Sequence, residues 1–482
     1  MKIGLIASEA TPFAKTGGLA DVAAALGKYL NLAGHDARLI LPLYAQVQRS
    51  HSGLQRVAHL QDIAVALGPH RYRFDGWTAR LPGAEATVYL LDCPALYARS
   101  GLYTQDADEH LRFLALTRAA FACFQRLGFA PDILHCNDWH TAFGPLFLRA
   151  SHARDPLFAR TRSVLTIHNL GFQGTFAASE ADALDLGTRS HLLDPGDLRT
   201  GYVNALRHGI LYADAVTTVS PTYAREICTD ARGMGLQETL RQRGDALVGI
   251  LNGVDYHEWD PRVDPWLPLH FDPARLGTKA ELKGRFLARM GLIAGARTPL
   301  LGIVSRFTAQ KGLDLLFDPL PELLASRDAL LVALGSGESL YEEFFAGLQQ
   351  RFPGRVAFHR GYSDELAHWI EAASDIFLMP SQYEPCGLNQ MYSLRYGTVP
   401  IVHRTGGLAD SVQLYDPATG SGTGIVFDHF DAPAMRWALA TALDLYAQPD
   451  TWEHIMRNGM AQDFSWEKQI GEYVRLYERL IS

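Results

Sequence analysis

The hexapeptide Thr-Gly-Gly-Leu-Ala-Asp occurs twice in this chain, at residues 16–21 and again at 405–410, and each copy follows a cation, Lys15 or Arg404. A glycine pair ahead of an apolar, helix-forming run reads as a turn that opens a helix. Without Cβ atoms at the two glycines, a phosphate or sugar ring can approach the main chain, and positive φ is permitted. Two such turns near opposite ends of the sequence call for two halves of similar build. With 482 residues, 48% of them hydrophobic, the chain exceeds one ordinary core, and two or three domains are expected.

Short apolar runs at 3–7, 37–41, 63–67, 88–91, 133–135, 164–168, 215–219 and 246–251 read as strands, several separated by helical patterns such as 110–127. Hairpin character is confined to 60–91. Residues 252–268, NGVDYHEWDPRVDPWLP, break all periodicity and read as the domain linker. A second strand series follows at 300–305, 330–335, 355–359, 375–379, 399–402 and 424–427. The fold class is therefore α/β, with two doubly wound Rossmann-like domains spanning 1–251 and 252–459. The tail from Trp466 is an amphipathic helix with Ile470, Tyr473, Val474, Tyr477 and Leu480 on one face.

A formal net charge of −8 argues against a polyanionic partner such as nucleic acid, so an anionic ligand has to be held by local cations. The five cysteines, Cys93, Cys123, Cys136, Cys228 and Cys386, lack CxxC spacing, which fits reduced thiols in a cytoplasmic protein. The opening MKIGLIASEA is too short an apolar segment for a signal peptide, and no window approaches the roughly 18 apolar residues of a membrane span. A membrane partner is not expected.

Chemistry concentrates after the strands. The run 375–379 ends at Pro380, and Glu384-Pro-Cys-Gly387 precedes an amphipathic run at 388–396. That order offers backbone N–H groups and a helix dipole to an anion beside a carboxylate suited to sugar hydroxyls. Ser305-Arg-Phe-Thr-Ala-Gln-Lys-Gly312 puts Arg306 and Lys311 in one loop, where two cations can hold a diphosphate; a solvated basic loop is the plainer alternative. His135-Cys-Asn-Asp-Trp-His-Thr141 and Thr166-Ile-His-Asn169 follow neighbouring strands, placing Asp138, His168 and Asn169 as hydrogen-bonding groups, with Trp139 as an apolar wall. His168 alone reads equally as a core histidine satisfied by backbone. No metal site is expected: HExxH is missing, and Asp106-Ala-Asp108 reads as a solvated loop. Tyr362 after Gly361 can stack on a base or stand as a surface tyrosine.

Taken together, KIGLIASEATPFAKTGGLADV, HCNDWHT, LTIHNLGFQG, GILNGVD, SRFTAQKG and the stretch 379–412 resemble the bacterial glycogen synthase family, which is similar to plant starch synthases, over almost the whole chain. The resemblance implies a glycosyltransferase fold of the B type, its two domains facing an interdomain cleft, with residues 460–482 returning to the N-terminal domain. It implies retaining transfer of glucose from ADP-glucose to the non-reducing 4-hydroxyl of an α-1,4-glucan such as glycogen, without a cofactor. Carried over by position, Lys15, Gly17 and Gly18 meet donor phosphate and sugar, Arg306 and Lys311 take the diphosphate, and Glu384 holds glucose hydroxyls within the backbone of Cys386, Gly387 and Leu388. Asp21, Tyr97, Asp138, His168, Asn169 and Asn252 line the sugar and acceptor side, and Tyr362, Thr405 and Gly406 flank the nucleotide. The alternatives on the same residues are a sugar-nucleotide epimerase, a phosphorylase-like enzyme with a lysine-bound pyridoxal phosphate, and a non-catalytic glucan-binding protein.

Overall fold

The structure, a computed structural model, describes residues 1–50, 53–295 and 297–482. The chain divides into two compact units, Met1–Gly253 together with Trp466–Ser482, and Val254–Ser465.

Unit 1 contains β1 (Lys2–Ile6), β2 (Asp36–Pro42), β3 (Gln55–Arg56), β4 (Ile63–Leu67), β5 (His70–Arg80), β6 (Thr87–Asp92), β7 (Ile133–Asn137), β8 (Arg162–Ile167), β9 (Thr175–Ala177), β10 (Tyr202–Asn204), β11 (Ala215–Thr218) and β12 (Leu247–Gly249). Its main sheet runs in the order β12-β11-β8-β7-β1-β2-β6-β5-β3, with β4 paired to β5. Pairing is parallel from β12 through β6 and antiparallel at β5, β4 and β3. The parallel strands are covered on both faces and so read as unbroken apolar runs: every residue of β7 is buried. The long β5 alternates in burial, as an edge-side antiparallel strand does.

The helix Gly18–Leu32 crosses from β1 to β2 and buries Leu19, Val22, Leu26 and Leu30. Against this unit lies the terminal helix Trp466–Ile481: Trp466 stacks on Tyr29 with ring centroids 6.4 Å apart, and Tyr477 Oη is 2.7 Å from His135 Nδ1. Its buried face includes Gln469 and Leu476 beside the expected Ile470, Tyr473 and Tyr477, while Val474 and Leu480 are half-buried. The preceding helix Pro449–Met460 and residues 461–465 belong to unit 2, so the segment that joins unit 1 begins at Trp466 and not at residue 460.

Unit 2 is a six-stranded, wholly parallel sheet of β13 (Leu300–Phe307), β14 (Leu330–Gly337), β15 (Val356–Arg360), β16 (Ile376–Met379), β17 (Val399–His403) and β18 (Ile425–Phe427), in the order β15-β14-β13-β16-β17-β18. Two hydrophobic clusters, one around Ile303, Phe345 and Ile401 and the other around Phe286, Val332 and Phe377, cover it. This is doubly wound construction, and β13, β16 and β17, which lead into the three loops singled out above, stand side by side at its centre.

Residues 254–268 correct the expectation of a linker. Although aperiodic, they are bound into unit 2: Asp260 accepts from Arg395 at 2.6 Å, and Asp264 accepts from Tyr396 at 2.5 Å and lies 2.8 Å from His368 Nδ1. Trp259 lies between the rings of Tyr392 and His368, with centroids 3.9 and 3.7 Å away. Aspartates and a tryptophan broke the period because they bind side chains of two helices, Asp364–Ala373 and Asn389–Arg395, rather than forming a helix of their own. Removing the ring in Trp259→Ala should therefore lower the unfolding free energy of unit 2 by about 3 kcal/mol, read by urea denaturation; a change under about 0.5 kcal/mol would show that the stack contributes nothing.

Candidate functional site

In unit 2 the loops after β13 and β16 meet through a buried ion pair. Lys311 Nζ lies 2.6 Å from Glu384 Oε2, with the two side chains only 18% and 7% exposed, and Ser381 Oγ donates to the same carboxylate oxygen at 2.9 Å. Main-chain contacts tie the loops together: Gln382 N donates to Gln310 O at 2.9 Å, and the Gln310 amide reaches Tyr383 O at 3.3 Å. Arg306, at the exposed end of β13, has no ion-pair partner among the described residues. One cation is thus committed to a carboxylate while the other stands open to an anion.

The second Thr-Gly-Gly turn closes on the Glu384 loop. Gly407 N donates to Glu384 O at 3.0 Å. Gly406 has φ +43°, and a Cβ built on it would overlap the Glu384 carbonyl oxygen; one built on Gly407 would overlap the Cys386 carbonyl. Thr405 and Gly406 are buried. What approaches the main chain on that side is the protein's own Glu384–Cys386 backbone, which corrects the reading of this second glycine pair as an opening for a ligand. Gln390, buried, completes the arrangement by donating to Cys386 O, Gly387 O and Ser411 Oγ, each at 3.0 Å. Leu388 caps the short helix Asn389–Arg395 that carries Gln390.

The first turn differs. A Cβ on Gly17 or Gly18 would meet nothing within 4 Å, and Gly17 is extended, with φ −164°. This pair leaves open space beside the first turn of a 15-residue helix, with Lys15 Nζ 2.9 Å from Asp21 Oδ1. The adjacent carboxyl ends of β1, β7 and β8 supply the rest. Asp138, at φ +53°, accepts from His168 N at 2.7 Å and Asn169 N at 3.4 Å. His168 Nε2 lies 3.0 Å from Asn137 Oδ1, whose amide donates to Ile6 O at 3.1 Å; that fixes Nε2 as the protonated nitrogen and leaves Nδ1 as the acceptor. Burial lowers the His168 pKa to about 3, so the ring is neutral, and burial raises Asp138 to about 7 against its two backbone hydrogen bonds. Glu9 is likewise raised to about 7 by burial. Trp139 lines a cavity of about 730 Å³ with Phe172, Phe176 and Tyr202.

Some expected residues stand elsewhere. Tyr97 is a core side chain, fully buried against Tyr44 and Phe74 with its hydroxyl donated to Arg112 O at 2.9 Å, and lines nothing. Its sequence neighbourhood gave no warning, because a buried tyrosine and a ligand tyrosine are spelled alike. Asn252 is buried, and among the described residues its Oδ1 has no hydrogen-bond partner. Tyr362 is exposed and its hydroxyl donates to Asp364. Asp106 and Asp108 both bind Arg99, at 2.7 and 2.6 Å, and among the described residues no cluster of three or more His, Cys, Asp or Glu can hold a metal. Sequence reasoning missed Glu9, Ser381 and Gln390; Glu9 stands two residues beyond the first buried strand run, a position that could have flagged it.

Comparison with known proteins is consistent over the full length. Residues 2–242 match the starch synthase catalytic domain family, and residues 293–459 match the glycosyl transferases group 1 family. A glycogen synthase of Anaeromyxobacter dehalogenans (strain 2CP-C) is 44% identical, with 100% of each chain covered, and glycogen synthase 1 of Geobacter sulfurreducens is 40% identical, covering 100% of this chain and 96% of its own. The catalytic domain of starch synthase IV from Arabidopsis thaliana, solved bound to ADP and acarbose, superposes with a TM-score of 0.92 at 34% identity, covering 100% of this chain and 99% of that one. A sucrose-phosphate synthase from Thermosynechococcus elongatus shares the fold, with a TM-score of 0.62 at 18% identity.

The two glycine pairs should respond differently to one added methyl group. Gly406→Ala, clashing at positive φ, should lower stability by about 2 kcal/mol or more, whereas Gly17→Ala should melt with the wild type. Equal melting temperatures for the two variants would contradict the packing.

The buried carboxyl of Asp138 has a measurable sign. A carboxyl whose folded pKa is raised binds its proton more tightly in the folded state, so its contribution to stability grows as pH falls from about 7 toward 4 and is lost as pH rises through about 7. Asp138→Asn keeps an acceptor oxygen but removes the ionisation, and the histidines cancel in the comparison. Its stability relative to wild type, followed by chemical denaturation, should therefore rise between pH 5 and pH 8; a constant difference would mean that Asp138 is not desolvated.

Proposed function

We propose, starting from the fact that this chain belongs to the glycogen synthase family of glycosyltransferases, that it moves glucose from ADP-glucose to the non-reducing 4-hydroxyl of an α-1,4-glucan and releases ADP. The observation that carries the reading is the Lys311–Glu384 pair beside the open Arg306, at adjacent strand ends of unit 2. Two cations suit a diphosphate, and stabilising that leaving group in a water-poor site contributes several kcal/mol. Glu384, its carboxylate oriented by Lys311 and Ser381, presents its remaining oxygen to glucose hydroxyls within the backbone of Cys386, Gly387 and Leu388.

In unit 1, Lys15 with the open Gly17 and Gly18 takes donor phosphate and sugar, Asp21 orients Lys15, and Asp138, Asn169 and the acceptor nitrogen of His168 take sugar hydroxyls. Asn252, with an orphaned carbonyl oxygen, accepts from a donor group on the substrate, and Tyr362, Thr405 and Gly406 stand on the nucleotide side. Tyr97 acts through the core it packs in and not by touching the substrate.

For retention we adopt a route without a protein nucleophile. Glu384 Oε2 is held by Lys311 and Ser381, and Asp138 Oδ1 by two main-chain N–H groups; we assign the oxygen left on each to sugar hydroxyls and not to a double displacement. The bond from the anomeric carbon to the diphosphate oxygen breaks and the bond to the acceptor's O4 forms on the same face, while the acceptor's proton passes to the departing phosphate. We assign the protein to the cytoplasm on its free cysteines, four of them buried; among the described residues no helix is long and apolar enough to cross a membrane.

Glucose incorporation into glycogen from ADP-glucose and from UDP-glucose tests this. ADP-glucose should be preferred, Arg306→Ala and Lys311→Ala should each lose about 100-fold or more in kcat, and no glucosyl ester should be trapped on Glu384. Full activity in Lys311→Ala, or release of an isomerised sugar without incorporation, would sink the reading.

A further inference from the structure

Between β1 and the helix Gly18–Leu32, a loop carries Lys15, Gly17 and Gly18, and its first part is held by its own main chain. Phe13 N and Ala14 N donate to Ala10 O at 2.9 and 3.0 Å, and Thr11 N donates to Ala20 O at 3.2 Å. At Lys15–Gly17 anchoring passes to side chains. Asp21 takes the Lys15 ammonium, and Glu9 takes Thr16: its Oε2 accepts the Thr16 N–H, and Thr16 Oγ1 lies 3.1 and 3.0 Å from its two carboxylate oxygens.

Glu9 is an unusual residue to find there. It is 3% exposed, and among the described residues no cation pairs with it. The charged groups facing it are Asp21 and Asp138, both acidic, and its titratable neighbours Tyr44 and Tyr103 are buried phenols. Desolvating a carboxyl without a counter-ion costs stability, and burial accordingly pushes it up to about 7. A glutamine or an apolar side chain would fill the same space without that cost. Unlike a glutamine, which has one acceptor oxygen and an amide that donates, a carboxylate offers both oxygens as acceptors: Oε2 takes the N–H of Thr16, the residue between Lys15 and Gly17, both oxygens stand within reach of its hydroxyl, and the Tyr103 phenol bonds to the same carboxyl.

We propose that Glu9 is a positioning residue for the transfer reaction: by gripping Thr16 it sets the Lys15–Gly18 loop in the orientation in which the Lys15 ammonium and the loop's N–H groups receive the donor's phosphate. The inference rests on the reading of Lys15 as a donor-phosphate contact, and it adds that Glu9 acts through Lys15 and not on the sugar. A group that orients the donor loop changes use of the donor and leaves use of the acceptor alone.

The test is a double-mutant cycle on ADP-glucose kinetics, with melting temperature followed in every variant. Glu9→Gln should lower kcat/KM for ADP-glucose by about tenfold or more while KM for glycogen stays within about twofold and the melting temperature does not fall. Thr16→Val, which keeps the N–H and loses the hydroxyl, should show a smaller loss of the same kind. In a Lys15→Ala background, Glu9→Gln should cost less than about twofold. If the two losses multiply instead, or if Glu9→Gln raises KM for glycogen, Glu9 does not act through the loop and the proposal fails, with Lys15 untouched as a donor contact. If Lys15→Ala keeps wild-type kinetics, the reading of Lys15 fails, and the present inference with it. Should Glu9→Gln fold poorly, Thr16→Val carries the same cycle against Lys15→Ala.

Discussion

Everything chemical in unit 2 depends on one ammonium meeting one carboxylate away from water. A buried carboxylate alone would be costly; Glu384 is tolerable because the half-buried Lys311 ammonium stands 2.6 Å away, with Ser381 donating to the same oxygen. The pair does more than cancel charge. Lys311 comes from the loop after β13 and Glu384 from the loop after β16, so their contact fixes two neighbouring loops to one another, and the Gln382–Gln310 main-chain bond gives that contact a rigid frame. Gly407 N on Glu384 O and the Gln390 amide on Cys386 O and Gly387 O then bring in the loop after β17. Three loops from three adjacent parallel strands become one surface, and Arg306 is left at its edge with its charge uncommitted.

The repeated hexapeptide shows how far letters determine roles. Both copies open a helix, as glycine pairs ahead of Leu-Ala-Asp should, and this made the two-part α/β plan legible from the sequence. The letters did not show what would occupy the space left by the missing side chains. At Gly17 and Gly18 that space is empty; at Gly406 and Gly407 it is filled by the carbonyls of Glu384 and Cys386. The difference arises from contacts with a loop some twenty residues earlier in the chain, and no local pattern encodes it.

The strands were legible because parallel strands buried on both faces must be apolar throughout, and the site loops because they follow such strands. Illegible parts share a physical cause: polar or aromatic groups satisfied by distant partners. Asp260, Asp264 and Trp259 looked like a linker because their partners, Arg395, Tyr396 and Tyr392, lie more than a hundred residues away. Tyr97 looked like a ligand residue although its hydroxyl is spent on Arg112 O. Glu9 drew no notice at all, since its meaning lies in a grip on Thr16 that only the folded loop creates.

The two units also differ in the charge they present. Among the groups gathered in unit 1, burial drives titration toward neutrality: His168 is lowered to about 3 and stays uncharged, while Asp138 and Glu9 are raised to about 7. Such groups make directional hydrogen bonds without a strong field, as a sugar's hydroxyls require, and Lys15 supplies the one cation of the first glycine turn. In unit 2 the order is reversed, with Arg306 at the end of β13, Lys311 in the loop that follows it, and a single carboxylate held by Lys311. A field of that sign favours accumulating negative charge, which in glycosyl transfer from a nucleotide diphosphate appears on the leaving group as the anomeric bond stretches.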